Sequence, residues 1–208
     1  MTFKAPREPE LAELAIADPP ERWRALGFQV EEDGDMDLGM VRVRLGVEGK
    51  GIVWWSLRRV HATGAIDGLR TPAPRITIPP PFHTHPNGAT SIDHVVVLTP
   101  EFDRTAAALA KAGVELRRDQ LTPGRGRQGF RRIGPAILEL AHRPDLPDED
   151  SVFWGLAVTV ISLDELAERL GSLLGPIKDA IQPGRRIATL TAEAGLSTPL
   201  AFMSPEPP

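Results

Sequence analysis

The stretch TSIDHVVVLTPEFDRTAAALAKAGVEL (residues 90–116) reads as a strand, a turn and a helix in succession. IDHVVVL is a β-branched run of strand length, and TPEF offers Thr99 as a helix cap with Pro100 at the first helical position. Phe102, Ala106, Leu109 and Ala110 then recur at helical spacing, and Gly113 stands where a helix C-cap belongs. Within the strand, alternation puts His94 on one face with Val96 and Leu98, and Val95 and Val97 on the other.

Working outward, VELRRD predicts a second strand, and RQGFRRIG and AILELAH predict a hairpin joined by a Gly-Pro turn, giving the order β, α, β, β, β. The same order recurs downstream: WGLAVTVI is a strand, SLDELAERLGSLLG a serine-capped helix, and PIKDAIQ, RRIATLTA and PLAFMS three further strands. A fainter copy lies upstream in ELAIAD, PPERWRALG, FQVEED, MVRVRLGV and GIVWWSLRRV. The organisation expected is a degenerate N-terminal βαβββ unit (8–61), a proline-rich extended connector (62–90), and middle (91–145) and C-terminal (152–205) units that together make one domain. One such unit leaves an apolar sheet face uncovered, whereas two side by side can curve into a cup. The fold class is therefore α+β, with tandem βαβββ units forming a cupped mixed sheet and helices on its outer face.

Composition narrows the functions. The 208 residues are 41% hydrophobic and carry a net charge of −4, enough apolar mass for a sizeable core and no basic field for phosphate backbones or anionic membranes. Nucleic acid and membranes are not expected partners. With no cysteine, disulfides, thiolate metal sites and cysteine nucleophiles are out of reach. The charged start MTFKAPREPE has no apolar leader and VFWGLAVTVISL is too short to span a bilayer, so a cytoplasmic protein is expected.

The repeated strand, acidic turn and helix of IDHVVVLTPEFDRTAAALAKAGVEL and FWGLAVTVISLDELAERLG, with AILELA and QPGRRIATL, resemble the vicinal oxygen chelate superfamily of glyoxalases, bleomycin-resistance proteins and extradiol dioxygenases. The resemblance covers residues 91–205 well and 11–60 weakly. It implies a metal held in the cup by histidines from first strands and glutamates from last strands, and it assigns those roles to His94 and Glu139. The last unit departs from the pattern: Gly155 stands where the histidine belongs, and Leu200 or Phe202 where the glutamate belongs. A divalent ion (zinc, nickel, manganese or iron) would thus find an incomplete ligand set in one chain, since a catalytic metal usually needs three protein ligands. A homodimer could complete the set, and the odd N-terminal unit could cover a sheet edge or pair with its own copy.

Two functions from different classes remain. One is a metal-dependent lyase, isomerase or dioxygenase acting on a small oxygenated or aromatic molecule, with Glu139 as a general base. The other is a non-catalytic protein that sequesters such a molecule, as bleomycin-resistance proteins do. For binding, Arg127, Gln128, Arg185 and Arg186 could direct polar groups inward to a carboxylate or another oxygenated ligand, and Trp154 could wall an apolar pocket. His83 and His85 share one side of an extended chain, but a proline-rich connector is a poor holder of metal geometry. His61 and His142 end strands and are expected to face solvent.

Overall fold

The computed structural model describes residues 8–61, 64–76, 78–122, 124, 126–147 and 149–207. The chain opens with β1 (Glu10–Ile16), the short helix α1 (Pro20–Ala25), β2 (Asp35–Leu38), β3 (Val41–Leu45) and β4 (Ile52–Arg58). A small hairpin follows, β5 (Gly64–Ile66) and β6 (Leu69–Thr71). Then come β7 (Ala89–Thr99), α2 (Phe102–Lys111), β8 (Arg118–Thr122), β9 (Gly126–Ile133) and β10 (Ala136–His142). The chain closes with β11 (Val152–Val160), α3 (Leu163–Leu170), β12 (Lys178–Asp179), β13 (Arg186–Thr189) and β14 (Leu200–Met203).

Strands β7 to β14 form one eight-stranded sheet in the order β12-β13-β14-β11-β7-β10-β9-β8. Each half is a βαβββ unit whose first and last strands are parallel neighbours, β7 with β10 and β11 with β14. The halves join through the antiparallel pair β7 and β11. This is the paired, cupped sheet expected from the tandem units, and the expected α+β class is the class observed. The helices α2 and α3 cover the convex side with Phe102, Leu109, Leu163 and Leu166 buried.

The N-terminal segment is built differently from the other two. Its sheet runs β2-β3-β1-β4: β1 is parallel to β3, while β4 adds to the far side of β1 in antiparallel register. Strand β4 therefore stands where the first strand of a second unit would stand, as β11 does beside β7. FQVEED is not a strand, because Gly34 turns the chain at φ 87° and Asp33 accepts a hydrogen bond from the Asp35 N–H at 3.1 Å, which delays β2 to Asp35. The apolar face of this small sheet lies on the convex face of the large one. Phe28 stacks on Phe202 at 6.1 Å and Trp55 meets Phe153 edge-on at 5.3 Å, and both sheets share one core. The odd unit thus covers a face rather than an edge.

The connector is also more ordered than its prolines suggest. Ile66 and Leu69 of the β5–β6 hairpin are buried, as are His85 and Asn87 farther on. His85 accepts from the Gln29 N–H at 3.0 Å through Nδ1, and its Nε2 lies 2.9 Å from the Asp37 carbonyl, so its ring ties the connector to the N-terminal sheet. Among the described residues no helix is long and apolar enough to cross a membrane.

Candidate functional site

The concave side of the large sheet encloses a cavity of about 720 Å³, within the usual range for a small-molecule site. Strand alternation assigns its floor: His94 and Val96 of β7, Gln128 and Phe130 of β9, and Ile137 and Glu139 of β10 all face inward. Ile137 pairs with His94 and Glu139 with Val96, so His94 and Glu139 are diagonal neighbours on adjacent strands of one wall. The opposite wall, from β11, β13 and β14, contributes Leu156, Ala157, Ile187, Leu200, Ala201 and Met203.

A local irregularity equips His94. Across β11 the register runs from Ala157 opposite His94 to Val158 opposite Ile92, leaving Asp93 as the extra residue of a β-bulge. A bulge interrupts the strict alternation of side chains, and here the Asp93 carboxylate lies against His94 Nδ1 although the two are sequence neighbours. The other carboxylate oxygen accepts from Arg185 at 2.5 Å and from the Thr159 hydroxyl at 3.0 Å. Burial by itself would raise the Asp93 carboxyl, but pairing with His94 and Arg185 outweighs it and holds the group well below the usual carboxylate range. Asp93 Oδ1 and His94 Nδ1 are in close contact but not in hydrogen-bond geometry; an ionised oxygen beside Nδ1 favours the tautomer with its proton on that nitrogen, which leaves the Nε2 lone pair facing the cup. There the Gln182 side-chain amide is 3.4 Å away. Gln182 and Arg185 belong to one loop between β12 and β13, so a single loop touches both ends of the imidazole system.

Glu139 is held by a second polar partner. The Gln128 amide nitrogen donates to its carboxylate, and Gln128 is itself 2% exposed. The carbonyl oxygen of Gln128 is left buried without a partner. Rotating the amide would place two acceptors together, so the unsatisfied carbonyl is the cost of keeping the donor on Glu139, on the order of 1–3 kcal/mol.

The remaining expected site residues are dispersed. Trp154 lines the cavity mouth, 49% exposed at a second bulge in β11. Arg127 points away from the cup: it pairs with Asp119 and Asp103 and stacks over the Phe102 ring at 4.0 Å. Arg186 reaches Asp164 of α3 at 2.6 Å on the outside. Arg185 is turned inward but spent on Asp93 and on the Ser204 carbonyl, 2.7 Å away. None of these three guanidinium groups lines the cavity, which corrects their reading as ligand-binding arginines; alternation gives a face, whereas the neighbouring carboxylates decide where each long side chain ends. Sequence reasoning missed Asp93, because a bulge leaves no periodic signal; Gln182 was legible as a polar neighbour of Arg185, but not as a partner of His94.

The metal implied by the resemblance does not fit the donors present. Gly155 precedes α3 by the same interval at which His94 precedes α2. A Cβ at Gly155 would lie 2.4 Å from the Pro199 carbonyl oxygen, so no histidine can stand there without displacing β14. Register also relocates the second missing ligand. Glu139 pairs with Val96, two residues beyond His94, and Ala201 pairs with Ala157, two beyond Gly155. The counterpart of Glu139 is therefore Ala201 rather than Leu200 or Phe202. Among the described residues no three His, Asp or Glu side chains come together as a metal site.

No family model matches this chain, and no curated protein matches it. Solved structures do. The chain is similar to methylmalonyl-CoA epimerase from Mycobacterium tuberculosis at 19% identity, over 58% of this chain and 91% of that one, with a TM-score of 0.49. It is similar to a Streptomyces coelicolor methylmalonyl-CoA epimerase variant bound to 2-nitronate-propionyl-CoA at 16% identity, over 57% and 96%, with a TM-score of 0.47. A hypothetical protein from Bacillus halodurans is similar at 15% identity, over 57% and 96%, with a TM-score of 0.47. At such identities the likeness concerns the arrangement of elements and not the chemistry.

Proposed function

We propose that the cup binds a small oxygenated or aromatic molecule and that His94 takes a proton from it without a bound metal. The observation that carries this reading is the Asp93 carboxylate at Nδ1, which leaves Nε2 as an acceptor inside the cavity. As the proton moves from the bound molecule to Nε2, the imidazolium that forms is stabilised by Asp93, and Arg185 keeps Asp93 ionised and in place. Glu139, fixed by Gln128, accepts a hydrogen bond from the same molecule on the same wall. A second reading, sequestration without turnover, is supported by the other wall, where Ala201 provides no reactive group and Gly155, at the position equivalent to His94, has no side chain to offer one.

The test is proton exchange in D₂O, followed by NMR, over a panel of small carbonyl compounds and phenols with a chelator present. At least one compound should lose a carbon-bound proton signal. His94→Ala should lower that exchange by about a hundredfold or more, with binding retained. Saturable binding with no exchange anywhere in the panel would leave sequestration standing instead.

A further inference from the structure

We propose that the ligand of this cup carries hydroxyl or amine hydrogens on one end and an apolar body on the other, and that the cup rejects carboxylates. The inference rests on the cup being a ligand site and names what that site selects.

The polar wall is a wall of acceptors. His94 Nε2 is the nitrogen left unprotonated in the tautomer that Asp93 favours, Glu139 is a carboxylate, and the amide nitrogens of the lining glutamines are turned to protein partners, Gln128 to Glu139, Gln182 to His94 Nε2 and Gln120 to the Thr122 hydroxyl. A neutral or cationic donor satisfies such groups, whereas an anion would be desolvated against another anion. The cations that could reverse this are committed elsewhere: Arg127 to Asp119, Arg185 to Asp93 and Arg186 to Asp164. Asp179 adds a second acidic side chain to the lining. Among the described residues Arg118 is the cationic side chain that does line the cavity, and it sits on the edge strand β8, exposed, 6.0 Å from the centre of the Phe130 ring. Facing all this, the β11 and β14 wall presents Leu156, Ala157, Ala201 and Met203, with no side-chain polar group among them. The division follows from the pseudo-symmetry of the cup: the positions that are His94 and Glu139 in one unit are Gly155 and Ala201 in the other.

Three probes with one ring and different heads separate the possibilities: para-methylbenzyl alcohol, para-methylbenzylamine and para-methylbenzoate, titrated by saturation-transfer NMR and Trp fluorescence. Two cup-filling variants, Ala201→Phe and Ile187→Phe, locate the binding, and each is checked for cooperative melting so that one serves if the other does not fold. The expected result is that the alcohol and amine bind at least tenfold more tightly than the benzoate, that cup filling abolishes both, and that Glu139→Gln narrows the gap. Benzoate bound as tightly as the alcohol, and lost on cup filling, overturns the donor assignment but leaves the cup as the ligand site; loss of that benzoate binding in Arg118→Ala would identify Arg118 as an anion reader. An unchanged gap in Glu139→Gln also overturns the donor assignment. No saturable binding, or binding indifferent to both filled cups, overturns the site itself and this inference with it.

Discussion

Asp93 illustrates how one inserted residue sets the chemistry of its neighbour. Its carboxyl is held low in the folded chain, so its pairing contributes stability that is present at neutral pH and is lost as pH falls below the ordinary carboxylate range, under about pH 4. Asp93→Asn should therefore be less stable than the parent at pH 7, and the difference should shrink on acidification to about pH 3, as read by urea unfolding at the two pH values. The same substitution places an amide at Nδ1, which favours the tautomer with its proton on Nε2, and exchange by the cup should fall although His94 remains. His94 and Glu139 were legible in the sequence because each sits in an apolar strand where alternation assigns a face. Asp93 was not: in a regular strand it would point away from its neighbour, and nothing in IDHVVVL marks the bulge.

At the scale of elements, the β5–β6 hairpin shows why composition misled about the connector. Asp67, at φ 47°, and Gly68 make its tight turn. The Asp67 carboxylate accepts from Thr105 of α2 at 2.5 Å, from Ser151 at 2.8 Å and from Arg104 at 2.7 Å. Pairing with Arg104 and the two hydroxyls lowers its carboxyl although burial opposes this. A proline-rich stretch is thus fastened to the back of the cup by one side chain. Asp67→Ala should destabilise the fold by about 1–3 kcal/mol, since buried hydroxyls lose their acceptor, and Asp67→Asn, which keeps the turn, should cost less; chemical denaturation of the two variants measures both. Helix α2 was read correctly from its apolar spacing, yet it begins at Phe102, two residues beyond the expected Pro100, because the Thr99 hydroxyl accepts from the Glu101 N–H at 3.1 Å.

For the whole molecule, the repeated order of elements was visible before any coordinates, and the place of the third copy was not. Periodicity identifies strands and leaves open which edge each will join, and β4 joined the edge that no unit-internal pairing predicts. The consequence is a back-to-back arrangement in which Phe202, fully buried on the large sheet, packs on Phe28 of the N-terminal unit within one shared core. Phe202→Ala should cost about 3–5 kcal/mol, and both sheets should still melt in a single transition, which calorimetry would register as equal calorimetric and van't Hoff enthalpies. Two separate transitions would mean that the sheets fold independently.

The lopsided cup also bears on stereochemistry. His94 and Glu139 stand on one wall and Leu156, Leu200, Ala201 and Met203 on the facing one, so a flat enol lodged between them would meet its proton source on one face and mainly apolar side chains on the opposite face. If His94 carries the proton as proposed, a deuteron would return to the side from which the proton left. Such a chamber would label a prochiral centre with one handedness and leave a chiral one unscrambled.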